Sequence, residues 1–148
     1  MLPSPPTSHQ LAQRLLERER HTGGADITRS SAAAQAGEEL YRALSRWIGS
    51  DGCHALFTRA RAQEQAENRP LELLQLRPRQ DPYISGVDEA KGEYGDEATG
   101  VAIESMIVGM IELLGRLIGV DMATNLIERS LSEFAQDKSA PAKRRAKA

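Results

Sequence analysis

One cysteine, Cys53, is the whole thiol complement of the 148-residue sequence. No intrachain disulfide can form, and a reducing cytoplasm is the expected compartment. Aromatic residues are equally scarce, 4% of the chain, namely Tyr41, Trp47, Phe57, Tyr83, Tyr94 and Phe134. Ala, Leu, Glu, Arg and Gln dominate instead, a mixture that favours helix over sheet. The opening Met1-Leu2-Pro3-Ser4-Pro5-Pro6 has neither the basic start nor the apolar stretch of a signal peptide, so residues 1–9 are expected to form a flexible lead-in. No repeat with a period of about 20–50 residues is visible, which argues against a solenoid or array.

Several chemistries lack their residues. His9, His21 and His54 are scattered, and none has a second His four positions on, so no zinc motif is present. The acidic run Asp88, Glu89, Glu93, Asp96 and Glu97 lacks the alternating Asp/Asn spacing and glycine of an EF-hand loop, and reads as a solvated loop. Gly23-Gly24 is not followed by the glycine and lysine of a P-loop, and Gly86 to Gly92 does not continue to Gly-Lys-Ser/Thr. No metal or cofactor is expected.

The charge of −2 conceals two parts. Lys138, Lys143, Arg144, Arg145 and Lys147 face Asp137 alone, giving residues 137–148 a net +4; the body keeps 14 basic and 20 acidic residues. Residues 137–148 are expected to be a disordered basic tail on a single helical domain spanning residues 10–136.

Apolar spacing places the helices. Leu11, Leu15 and Leu16 share a face of a helix from Gln10 to Arg20, stopped by Gly23-Gly24. A second helix starts near Ser30 or Ser31 and ends at Ile48, with Leu40, Tyr41, Leu44, Trp47 and Ile48 on its apolar stripe. Gly49 ends it, Ser50 or Asp51 caps the next, and Cys53, Leu56, Phe57 and Ala60 recur at core spacing. That third helix stops before Pro70. Residues 77–95, with two prolines and three glycines, read as a long exposed connection.

Asp96 is the expected cap of the next helix, whose stretch Val101 to Ile118 is the most apolar in the chain. Glu104, Glu112 and Arg116 fall inside it, which excludes a membrane span. At about 100° per residue, those three share a sector with Ser105, Gly109, Gly115 and Gly119, and the apolar residues fill the remaining arc. After Gly119, Asp121 caps a last helix carrying Ala123, Ile127, Leu131 and Phe134. The fold expected is all-α: a bundle of about five helices, in which two helical hairpins are joined by a long loop.

The stretch Leu113-Leu114-Gly115-Arg116-Leu117-Ile118-Gly119-Val120-Asp121, with Leu126-Ile127, resembles the end of a group of short uncharacterised bacterial helical proteins, and Tyr41 to Ala60 resembles their middle. The resemblance covers under half of the chain. It implies a bacterial origin and a helical fold, and brings no functional residue with it.

Catalytic pairings fail on geometry. Cys53 and His54 are adjacent, so on a helix they diverge by about 100°, which makes Cys53 a core residue rather than a nucleophile. Glu104 and Glu112 are two turns apart, about 12 Å, and Glu112 with Arg116 reads as an ordinary i, i+4 ion pair. Arg59, Arg61 and Arg69 invite a helix-turn-helix reading, but Glu64 and Glu67 on the same helix repel DNA.

What remains is a non-enzymatic protein–protein interaction module, an adaptor or regulator in a bacterial cytoplasmic pathway, not inserted in the membrane. Its contact surface is expected at the 77–95 loop or at the sector of Ser105, Gly109, Glu112 and Arg116, with a homodimer through the C-terminal hairpins as one arrangement. The alternative is a nucleic-acid-associated protein that uses Lys143, Arg144, Arg145 and Lys147.

Overall fold

The computed structural model describes residues 10–14, 16–17 and 28–139, with side chains as far as residue 129. The expected lead-in 1–9, the helix stop at Gly23-Gly24, residues 140–148 and the side chains of Leu131 and Phe134 lie outside the described residues. Residues 10–14 and 16–17 are helical and are termed α1, with Leu11, Ala12 and Leu16 buried. The chain continues through α2 (Arg29–Ile48), α3 (Ser50–Glu64), a 3-10 turn (Arg69–Leu73), β1 (Gln75–Leu76), β2 (Ile84–Ser85), α4 (Val87–Tyr94), α5 (Asp96–Ile118) and α6 (Val120–Ser139). The all-α bundle with two hairpins is the observed fold.

Both hairpins turn on one glycine. Gly49 links α2 to α3 at φ 83°, ψ 152°, and Gly119 links α5 to α6 at φ 94°, ψ 145°, a backbone region that essentially only glycine occupies. Each glycine ends one helix and begins the next: the Gly49 amide donates to the Ser45 carbonyl at 3.0 Å, and its carbonyl accepts from the Cys53 amide at 3.0 Å. Gly119 does the same with Gly115 and Ala123. Contrary to expectation, Ser50 and Asp121 are not caps; Ser50 lies inside α3, Asp121 lies inside α6, and no side chain caps the start of α3.

The central helices α2 and α5 run parallel. Arg29 meets Glu104 at one end, Gly37 lies against Ile107 midway, and Ile48 shares a groove with Leu117 and Ile118 at the other. Helix α3 runs antiparallel to α5, so that Gly109 faces Ala60 and Glu64 while Leu114 lies beside Leu56. Helix α6 returns beside α2 and α5, and Glu128 on it reaches Arg14 of α1 at 3.2 Å.

The two hairpins repeat one another. Arg46-Trp47-Ile48-Gly49-Ser50-Asp51 returns as Arg116-Leu117-Ile118-Gly119-Val120-Asp121, and Leu44, Leu56 and Arg59 return at the same offset as Leu114, Leu126 and Arg129. In this register every residue that α2 buries falls on a residue that α5 buries, from Ser30 on Gly100 to Leu44 on Leu114. The packing of α2 on α6 and of α5 on α3 follows the same pattern, that of an approximate two-fold along the bundle. The spacing of this repeat lies outside the solenoid range.

The connection 77–95 is not the exposed loop its prolines and glycines suggest. Gln75 pairs with Ser85 and Leu76 with Ile84 in a short antiparallel ladder, α4 follows, and Tyr83, Ile84 and Ala90 are buried. Two contacts from α2 hold it down. Glu38 accepts the Tyr83 and Ile84 amides at 2.9 and 2.6 Å, and the Tyr41 ring stacks on Tyr83 at 3.7 Å and 7°. Backbone donors that a loop would leave to water are thereby satisfied inside the fold.

The start of α2 also differs. Thr28 is its N-cap, accepting the Ser31 amide at 3.2 Å. Asp96 lies inside α5, behind Gly95, and its carboxylate accepts the Arg29 and Ser30 amides at 3.2 and 3.3 Å. Asp96 therefore serves the N-terminus of the neighbouring helix, whose free amides and positive dipole end suit a carboxylate. Helix α6 runs to Ser139, past the expected domain boundary at 136.

Candidate interaction surface

The chemically promising groups are used internally. Cys53 is fully buried, its thiol 3.8 Å from the Tyr41 carbonyl, and burial pushes that thiol up to about 12. His54 points away to Tyr83, with its Nδ1 2.8 Å from the tyrosine hydroxyl. Burial also raises the pKa of that hydroxyl. Neither group of the expected Cys-His test pair meets the other, and a thiol so rarely ionised is a poor nucleophile.

The second polar cluster joins α2 to α5. The Arg29 guanidinium forks onto Glu104, Nε to Oε2 at 2.7 Å and Nη2 to Oε1 at 2.9 Å, and also contacts Glu97. Hydrogen bonding to Glu104 raises the arginine pKa further. Asp96 lies beside it, its pKa lowered chiefly by the Ser30 hydroxyl. Every group here has a partner within the chain, so the cluster is a clamp between helices. Among the described residues no group of three or more His, Cys, Asp or Glu is placed to hold a metal ion.

The residues singled out from the sequence do not form one surface. Gly109 is buried, 3.5 Å from the Ala60 methyl when given a Cβ, so α3 of the same chain fills the small-residue sector. Ser105 is half-buried, while Glu112 and Arg116 are exposed and form no ion pair with one another. Glu104, assigned to the same sector, is buried against Arg29. Arg61 donates to the Leu74 carbonyl at 2.7 Å, which withdraws it from a phosphate-binding role. The tail residues Lys143, Arg144, Arg145 and Lys147 lie outside the described residues.

An unexpected face appears at the glycine-corner end of the bundle. Trp47, expected in the core, is 46% exposed, and Leu117, Ile118, Val120 and Met122 are 70%, 38%, 59% and 60% exposed. The α2 stripe predicts Trp47 inside, but the indole lies at the surface beside Met122, Leu126 and Arg129 of α6. The Arg129 guanidinium is 6.0 Å from the indole centroid. On the other side of α5, Ile48, Gly52, Ala55, Leu56, Arg59, Leu114, Leu117 and Ile118 line an almost wholly apolar groove of about 370 Å³. The repeated corner motif is the sequence signal for this face, since both corners place an apolar residue next to the glycine where no further helix among the described residues covers it.

No family model matches the chain, and no curated protein or solved structure matches it either. No described helix is long and apolar enough to cross a membrane.

Proposed function

We propose that this chain is a non-enzymatic protein–protein interaction module, an adaptor or regulator of a bacterial cytoplasmic pathway, whose contact surface is the apolar end bearing Trp47, Leu117, Val120 and Met122. The observation that carries this reading is the clustering of large exposed apolar side chains at that end, flanked by Arg116, Asp121 and Glu128. Exposed apolar side chains set among charged neighbours are the composition of a contact surface, and Trp and Met are among the residues that concentrate there.

The expected outcome of affinity capture with the tagged full chain is a stoichiometric protein partner that survives nuclease and is lost on Leu117→Glu. Since Leu117 is 70% exposed, that substitution leaves the core intact. Capture indifferent to Leu117→Glu would count against this surface, and partners released by nuclease would favour the nucleic-acid reading of the basic tail.

A further inference from the structure

The apolar groove between α3 and α5 has a counterpart in the same chain. On α3, Gly52, Ala55, Leu56 and Arg59 share one face at i, i+3, i+4 and i+7, and Leu114, Leu117 and Ile118 line the groove from α5. At the offset that relates the two hairpins, the four α3 positions become Met122, Asn125, Leu126 and Arg129, and Leu117 becomes Trp47. Those five residues line a cleft of their own between α2 and α6. One site is thus built twice, once on each flank of the central pair.

The two copies differ in one direction. Where the α2–α6 copy has Trp47, Met122 and Asn125, the α3–α5 copy has the smaller Leu117, Gly52 and Ala55. Arg129 has the Trp47 indole 6.0 Å away, whereas Arg59 is exposed, with neither an ion pair nor a ring contact among the described residues. Glycine weakens a helix, and no atom lies within 4 Å of a Cβ at Gly52, so no described neighbour requires glycine there. The small residues keep open a groove of about 370 Å³, within the range of about 300–1,000 Å³ typical of small-ligand sites.

No lining side chain other than Arg59 carries a polar atom. An occupant therefore finds side-chain hydrogen bonds at one point only, from a guanidinium, and the rest of it must be apolar. Two turns of α3, about 10 Å along the axis, separate Gly52 from Arg59, so the apolar part is elongated. We infer that the α3–α5 groove is a binding site for a medium-chain carboxylate, whose hydrocarbon lies between Gly52 and Leu117 and whose carboxylate pairs with Arg59. Guanidinium and carboxylate meet in a fork of two hydrogen bonds, and each methylene removed from water adds to affinity. This goes beyond the interaction reading above: the ligand is a small amphiphile, held on the opposite flank from Trp47 and Met122. Leu117 belongs to both surfaces, so the groove is tested through Gly52 and Arg59.

The test is calorimetric titration of the full chain with octanoate below its micelle concentration, beside octanol and octylammonium, with amide NMR to locate the site. The expected result is one octanoate per chain, octylammonium at least ten-fold weaker, and amide shifts at Gly52 and Ala55 rather than at their counterparts Met122 and Asn125. Arg59→Gln should weaken octanoate at least ten-fold and leave octanol unchanged. Gly52→Met should abolish binding of both. The counterpart position already carries an exposed methionine, Met122, so this variant should keep its fold, which thermal melting by circular dichroism checks. Failure of octanoate to bind overturns the inference, as does binding that ignores Gly52→Met or does not distinguish octanoate from octylammonium. Capture of a protein partner that is lost in Gly52→Met, with no octanoate bound, overturns it in favour of a protein occupant.

Discussion

Arg29 and Glu104, on different helices, are joined by two hydrogen bonds of 2.7 and 2.9 Å between one guanidinium and one carboxylate. The Glu104 side chain is only 11% exposed and that of Arg29 is 31% exposed, so this is a partly buried pair with the fork geometry that makes such pairs strong. Removing one partner of a buried pair costs about 3–5 kcal/mol, mainly by stranding the other. Glu104→Ala should sit near the lower end, about 3 kcal/mol, because Arg29 keeps some access to water. In a urea-denaturation double-mutant cycle with Arg29→Ala, the double variant should lose less than the two single losses combined. Simple additivity would mean that the two residues act independently.

The same clamp predicts an acid response. The folded pKa of Asp96 is depressed, chiefly by the Ser30 hydroxyl and further by the Ser30 and Arg29 amides. A depressed carboxylate stabilises the fold above its unfolded pKa of about 3.9, and the contribution disappears as pH falls through the folded value. Stability measured downward from pH 5 should therefore decline more steeply in the natural chain than in Asp96→Asn. Identical pH profiles would show that the carboxylate contributes no pH-dependent stability.

Glu38 has a different role, holding the crossover rather than the helices. Glu38→Ala leaves the Tyr83 and Ile84 amides without their acceptor, at about 1–3 kcal/mol for each buried unsatisfied donor. The loss should be local. Amide exchange at residues 83 and 84 should accelerate strongly while that of Ile107 in α5 changes little, and uniform acceleration would instead mean that the whole bundle opens.

Cys53 offers a labelling test. Its buried thiol, raised to about 12, stays protonated at pH 8, and only the thiolate reacts with alkylating reagents. Native protein should resist maleimide until denaturant is added. Because this folded pKa lies above the unfolded value of about 8.5, the associated stability is complete below that pH and declines as pH rises towards 12. Fast labelling of the native chain would contradict the placement of Cys53 in the core.

Two glycines should respond oppositely to alanine. Gly119 has φ 94° with no atom near its would-be Cβ, so Gly119→Ala is disfavoured by backbone strain alone, at about 1–3 kcal/mol. Gly92 lies within α4, with ordinary φ and open space around it, and Gly92→Ala should stabilise by about 0.5–1 kcal/mol through helix propensity. Thermal melting of the two variants reads both signs.

Helices and hairpin corners were legible in the sequence because their causes are local. Leu40, Leu44, Cys53, Phe57 and Ile107 announce buried faces by spacing, and Gly49 and Gly119 announce turns. The crossover was not legible, because its order comes from α2: nothing near Tyr83 in sequence reveals that Glu38 and Tyr41 will hold it. Arg29 went unnoticed for a similar reason, since its partner is 75 positions away. The burial of Gly109 was not legible, because a helical wheel shows which residues share a side of α5, but not that α3 covers the side with Gly109. Trp47 fits the apolar stripe of α2, and only the arrangement of helix ends puts it at the surface.

The parallel seam between α2 and α5 joins segments far apart in sequence, and that distance bears on how the chain folds. Each hairpin closes between sequence neighbours through a single glycine, whereas the seam must bring together residues as distant as Arg29 and Glu104. Closing so long a stretch costs entropy before any contact repays it, so distant pairings form slowly and local ones quickly. The two hairpins should therefore gain protection first in pulsed hydrogen exchange during refolding, and the meeting of α2 with α5 should be the slower step that completes the native state.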